Sequence, residues 1–224
     1  MTKILIASDL HSQEYPYLHQ LPECDIYIDA GDFTEKGNRE QFEQYNDFLY
    51  EIPAKHKICS PGNHDFMAEV HREAAQLLMP NGDLCIHESR QVDGLSIFCS
   101  PYQPWFYDWA FNLHRGPKIA AKWEDIPYNL DILVTHGPPF GIRDWVGRSH
   151  VGCEDLMRNV KLKKPRVHIF GHIHQGYGVT ERDGTVFINA ALVGNVNEID
   201  SSMILLDIDK DSVRVDYDTV KRIK

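Results

Sequence analysis

Ile4-Leu5-Ile6-Ala7-Ser8-Asp9-Leu10-His11 decides how the chain is read, because a short β-type apolar run ends abruptly in a cluster carrying a carboxylate and an imidazole. The construction recurs downstream. Ile26-Tyr27-Ile28 stops at Asp29-Ala30-Gly31-Asp32, and His56-Lys57-Ile58-Cys59 stops at Pro61-Gly62-Asn63-His64-Asp65. Asp131-Ile132-Leu133-Val134 stops at Thr135-His136-Gly137-Pro138-Pro139, and Val167-His168-Ile169-Phe170 stops at Gly171-His172-Ile173-His174. Five strands with one kind of ending are expected.

Between these runs the apolar residues change to helical period. Phe42, Tyr45, Phe48 and Leu49 form one face, Val70, Ala74, Leu77 and Leu78 a second, and Leu156, Met157 and Val160 a third. Strands alternating with covering helices predict an α/β fold. After His174 the period becomes two, with an Asp183-Gly184 turn before 185–190 and strands at 203–208 and 213–217 around Asp209-Lys210-Asp211. The tail is expected to form antiparallel sheet. No repeat or linker interrupts the chain, so residues 1–224 are read as a single domain. In open α/β sheets ligands bind beyond the carboxyl ends of the strands, which places the five polar clusters where they can converge.

Composition narrows the function. Lys and Arg number 23 against 33 Asp and Glu, a net charge of −10, which opposes binding to a nucleic-acid polymer but leaves a small phosphorylated substrate open. The five cysteines (24, 59, 85, 99 and 153) are scattered and never spaced as CxxC, so they are expected to be reduced thiols in a cytoplasmic protein. No apolar run approaches the ~18 residues of a membrane span, and the N-terminus lacks secretory-signal character.

Asp9, His11, Asp32, Asn63, His136, His172 and His174 offer seven oxygen and nitrogen donors and no thiolate, a set suited to Mn²⁺, Fe or Zn²⁺. Asp9 and His11, like His172 and His174, stand at i and i+2, and share a side if strand geometry continues through them. If one carboxylate bridges, seven donors divide into two sets of four, enough for a pair of cations.

The ordered motifs DxH, GD, GN followed by HD, a later H and GHxH resemble the calcineurin-like metallophosphoesterase superfamily over residues 9–174. The stretches around Ser100-Pro101-Tyr102-Gln103-Pro104-Trp105, 135–141 and 168–174 are similar to its small single-domain metallophosphoesterase domain-containing subgroup, which is associated with phosphodiesters including cyclic nucleotides. The resemblance implies a four-layer α-β-β-α sandwich of two mixed sheets, with the metal site at the C-terminal strand ends. It further implies two divalent cations, Mn²⁺ foremost. One would be held by Asp9, His11, Asp32 and His174, the other by Asp32, Asn63, His136 and His172. His64 would contact the leaving-group oxygen as the acid, Asp65 would orient it, and a metal-bridging hydroxide would attack phosphorus.

Three residues are candidate substrate contacts: Trp105 in the aromatic stretch 105–111, His114, and Arg143, whose fork suits phosphate oxygens. His168 and His150 are read as packing and surface residues. Rival expectations are a phosphomonoesterase or protein serine/threonine phosphatase, a non-catalytic scaffold of the same fold, and a nuclease. Oligomeric state is not legible.

Overall fold

In a computed structural model of the protein, which describes residues 1–194 and 196–219, the alternation resolves into two six-stranded mixed sheets. The first runs in spatial order Val213–Asp216, Ile204–Ile208, Thr2–Ala7, Cys24–Asp29, Ala54–Cys59, Asp83–Leu84. Its last four strands are mutually parallel and the C-terminal hairpin joins Thr2–Ala7 antiparallel. The second runs Gly178–Arg182, Thr185–Asn189, Val167–Phe170, Ile132–Thr135, Leu95–Ser100, Glu88–Val92, with parallel inner strands and an antiparallel strand at each edge.

Strand side chains alternate between faces, and here both faces are buried. Ile4, Ile6, Ile26, Ile28 and Ile58 turn inward against Ile97, Ile132, Val134, Val167, Ile169 and Ile188 of the other sheet. Leu5 and Tyr27 turn outward onto Phe42, Tyr45 and Leu49 of helix Arg39–Glu51. On the opposite side Phe98, Leu133, Phe170 and Phe187 pack on Ile119 and Trp123 of helix Pro117–Glu124 and on Leu156 and Val160 of helix Glu154–Lys163. The order helix, sheet, sheet, helix is the expected four-layer sandwich, and each such side chain contributes about 1.5–3 kcal/mol by burial. Local chemistry sets the helix ends: Asn38 caps the first helix by accepting from Gln41 N–H at 3.0 Å, and Lys164 closes another in the left-handed region before Pro165.

Two expectations are corrected. Val70, Ala74, Leu77 and Leu78 do not share one helix face, because the backbone breaks at His71 between helices Phe66–Val70 and Arg72–Leu78. Ala68 and Ala75 carry the burial instead, and Val70 and Leu77 are exposed. The tail is not one antiparallel sheet. Asp183 and Gly184, both at positive φ, turn an antiparallel hairpin as predicted, but Thr185–Asn189 then lies parallel to Val167–Phe170, and Ile204–Ile208 crosses to the first sheet. This crossing ties the sheets: Ala191 bridges Ser8, and Leu192 N–H donates to Ser8 O at 2.9 Å.

Candidate metal centre

The parallel strands of both sheets end at one edge of the sandwich, and the predicted donors meet there. Asp9, His11 and His174 present ligand atoms within 4.8 Å of one another, as do Asp32, His136 and His172. Asn63 joins the second group, its Oδ1 3.0 Å from His136 Nε2. Asp32 stands between the groups: its Oδ2 lies 3.2 Å from His136 Nε2 and 3.9 Å from His11 Nε2. Donors about 2.1 Å from a shared cation lie roughly 3–3.5 Å apart, so the 3.0 and 3.2 Å spacings suit coordination, and the 3.9 Å spacing to His11 would close slightly around an ion.

Two imidazoles test the fit to cations. His136 Nδ1 donates to Ala30 O at 2.9 Å, so the neutral ring turns the Nε2 lone pair on Asn63 Oδ1 and Asp32 Oδ2, both acceptors. Either a proton or a cation must sit between them. His11 is buried with neither ring nitrogen in a hydrogen bond, its Nε2 facing Asp9 and Asp32 at 3.8 and 3.9 Å. A buried polar atom left this way costs about 1–3 kcal/mol, and a divalent ion satisfies it.

The charge states agree. Burial alone would raise both carboxyls, but His174 holds Asp9, and His136 holds Asp32, well below the usual carboxylate range. Both stay ionised. Burial would lower His136, but the Asp32 charge raises it to about 9, whereas burial and the nearby His136 push His172 down to about 4 and burial lowers His11. A cation held by the Asp32 group would take the place of that proton on His136.

The i, i+2 pairs do not reach the site as continued strands. The first strand ends at Ala7, and Asp9, His11 and His172 lie at φ 56°, 50° and 64°. Left-handed backbone is unfavourable for non-glycine residues, and its clustering here fits a site whose surroundings over-determine it. Ser8 Oγ donates to Asp9 Oδ2 at 2.7 Å and His172 N–H donates to the same oxygen at 2.9 Å, aiming Oδ1 at His174 Nε2 3.3 Å away. The glycines of GN and GH permit close approach: a Cβ at Gly62 would collide with Asp32 Oδ1, and one at Gly171 with Asp9 Oδ2 and Ser8 Oγ.

His64 adjoins the donors, Nε2 3.9 Å from Asp32 Oδ2, with its ring against Trp109 at 4.1 Å. Its orienting partner is not Asp65. His64 Nδ1 meets Glu35 O at 2.8 Å, while the buried Asp65 carboxylate accepts from the N–H groups of Asp32, Gly62 and Thr34 and from Thr34 Oγ1. Burial, reinforced by the Asp32 charge, pushes that carboxyl up to about 7. Asp65 fastens the GD loop to the GN loop. Glu35 and Ser8 carry no motif signal and become visible only when the loops are folded.

A cavity of about 520 Å³ opens beside the donors, lined by His172, His174, Trp105, Phe106, Pro138 and Val146 among others. Trp105 is half exposed and stacks on His114 at 4.9 Å, so His114 backs the wall. Arg143 is not placed to meet substrate, because its guanidinium donates to the carbonyls of Gly176, Tyr177 and Val179 and to Thr180 Oγ1. Asp144 is fully buried and holds His150 Nδ1 at 2.6 Å on the cavity wall. His168 is a core residue, buried on an inner strand and bonded to Thr135 Oγ1 at 2.8 Å.

The profile of the calcineurin-like phosphoesterase family matches residues 2–176. Human metallophosphoesterase domain-containing protein 1 is 39% identical over 217 residues, covering 85% of this chain and 66% of the human protein, so the chain spans just under two thirds of that relative. A 3',5'-cyclic-nucleotide phosphodiesterase of Nostoc sp. is 22% identical, covering 70% of this chain and 58% of that protein. Among solved structures, an archaeal phosphodiesterase superposes with TM-score 0.53 at 18% identity, covering 95% and 98% of the two chains, a likeness of fold.

Proposed function

The chain belongs to the calcineurin-like phosphoesterase family, and from that premise we propose that it hydrolyses small phosphodiesters, cyclic nucleotides included, with two divalent cations, Mn²⁺ foremost. The observation that carries this reading is Asp32, whose Oδ2 faces an imidazole of each donor group at 3.2 and 3.9 Å. Asp9, His11, Asp32 and His174 would hold one cation, and Asp32, Asn63, His136 and His172 the other. Bound there, the pair supplies positive charge at both ends of an in-line displacement and lowers the pKa of water towards about 7.

The chain's own groups do the rest. Glu35 O accepts the Nδ1 proton of His64, so it is the imidazolium form, protonated on both nitrogens, whose Nε2 would give its proton to the departing alkoxide and leave the neutral ring behind. Trp109 packs against the same ring. The cavity supports a diester over a monoester: Arg115, the one Lys or Arg among its described lining residues, donates to the carbonyls of Val151 and Gly152. Among the described lining residues no Lys or Arg side chain is left for the extra charge of a monoester. Trp105 and Phe106 suit an uncharged planar substituent such as a nucleobase.

Elemental analysis and a Mn²⁺-supplemented screen of monoesters, linear diesters and cyclic nucleotides, run on wild type and Asp32→Asn, test the proposal. Two metal equivalents and diester turnover, both lost in the variant, are expected. Faster monoester turnover would make the protein a phosphatase, and a metal-replete protein silent on every ester would make it a scaffold.

A further inference from the structure

Glu35 lies outside the seven donors, yet its carboxylate reaches the centre. Glu35 Oε2 stands 3.2 Å from His11 Nδ1, on the far side of the ring from the Nε2 that faces Asp9 and Asp32. The pair is within ion-pair reach but not aligned as a hydrogen bond, and among the described residues His11 Nδ1 has no hydrogen-bond partner. A histidine that gives Nε2 to a cation must carry its proton on Nδ1. That N–H then needs an acceptor, and the Glu35 carboxylate is the group in reach.

The loop bearing Glu35 is anchored on the same motif it serves. Glu35 N–H donates to Ser12 Oγ at 3.2 Å, next to His11 in sequence, and Glu35 O takes His64 Nδ1. Its carboxylate is 39% exposed, so it can turn the small angle that alignment requires without breaking a buried network.

We infer that Glu35 is a positioning residue that fixes the tautomer and orientation of His11 as a ligand, completing a carboxylate–histidine–metal relay on the Asp9 side of the centre. The inference rests on the two-cation reading above. Carboxylate partners of ligating histidines typically change metal affinity about 10–100-fold when removed, because they raise the basicity of the ring and pre-set its plane.

Mn²⁺ titration of metal-free protein, followed by calorimetry or by the EPR signal of free Mn²⁺, separates the outcomes. Wild type is expected to bind two equivalents. Glu35→Ala should still reach two at saturation, with one weakened about 10–100-fold, and Glu35→Gln should fall between. The melting temperature of the metal-free variants should match wild type, excluding a general structural role. Unchanged affinity at both sites in Glu35→Ala overturns the inference, as does loss of an entire equivalent at saturating Mn²⁺, which would make Glu35 a direct ligand. If wild type itself binds no Mn²⁺, the two-cation reading fails first.

Discussion

Asp32 Oδ2 and His136 Nε2 lie 3.2 Å apart although one follows a strand of the first sheet and the other a strand of the second. This contact closes the edge of the sandwich. Asp9, His11, Asp32 and Asn63 follow strands of the first sheet, and His136, His172 and His174 follow strands of the second, so cations bound among them, as proposed, would tie the two sheets together.

Mn²⁺ should therefore stabilise the whole fold. At a concentration about 100 times its dissociation constant, a ligand specific for the native state adds roughly 2.7 kcal/mol, or about 5–10 °C in melting temperature for a chain of this size. Differential scanning fluorimetry with Mn²⁺ and with EDTA reads the difference. Coincident curves would remove the metal centre from the account.

Gly62→Ala should damage the same edge from the inside. The added Cβ collides with Asp32 Oδ1 and comes within 2.6 Å of His136 Cε1, so both ligands must shift. Expected are loss of bound metal and a stability cost of about 1–3 kcal/mol. Urea unfolding and elemental analysis check this, and a variant with full metal content would show that the close approach is not needed.

His64→Ala should retain metal, because His64 is outside both donor groups of the proposed centre, and lose kcat by about 10²–10⁴ on unactivated diesters. Activated aryl esters should suffer least, since their leaving groups need little protonation. Steady-state kinetics on the two substrate types tests the role; equal losses on both would point to misplaced substrate instead of a missing acid.

Asp29 links stability to pH. It is fully buried beneath Tyr27 and Tyr45, and burial, with a smaller contribution from the Asp65 charge, pushes its carboxyl from the usual 3.8 to about 7. Between those values the native state keeps a proton that the unfolded chain has released, so stability present below pH ~4 is lost as pH rises towards 7 and changes little above it. Asp29→Asn cannot ionise. Relative to wild type it should gain stability across that window, on the order of a few kcal/mol at about 1.4 kcal/mol per pKa unit. Urea midpoints at pH 4.5, 6 and 8 measure the trend, and a pH-independent difference would contradict it.

The polar endings of five apolar runs are local facts, written in consecutive residues, and they sufficed to mark the α/β character and nominate the donors that meet at the strand ends. The helix break at His71, where φ is −137°, escaped because nothing in 70–78 forbids a continuous helix.

Other features existed only once loops distant in sequence were folded against one another. The left-handed turns at Asp9 and His11 replace the strand geometry that would have aligned them, and their N–H groups donate to the Gly31 and Asp32 carbonyls of the loop after the neighbouring strand. Asp65 and Arg143 carry the residue types expected of a site, but their charged groups are spent on loop N–H groups and carbonyls that sequence spacing cannot place. Glu35 is the converse, without a motif and yet beside a ligand. Residue order determines which chemistry can be assembled, because strand endings are encoded locally. Which atoms face it is decided by long-range packing, because that alone sets the distances at which charges and hydrogen bonds act.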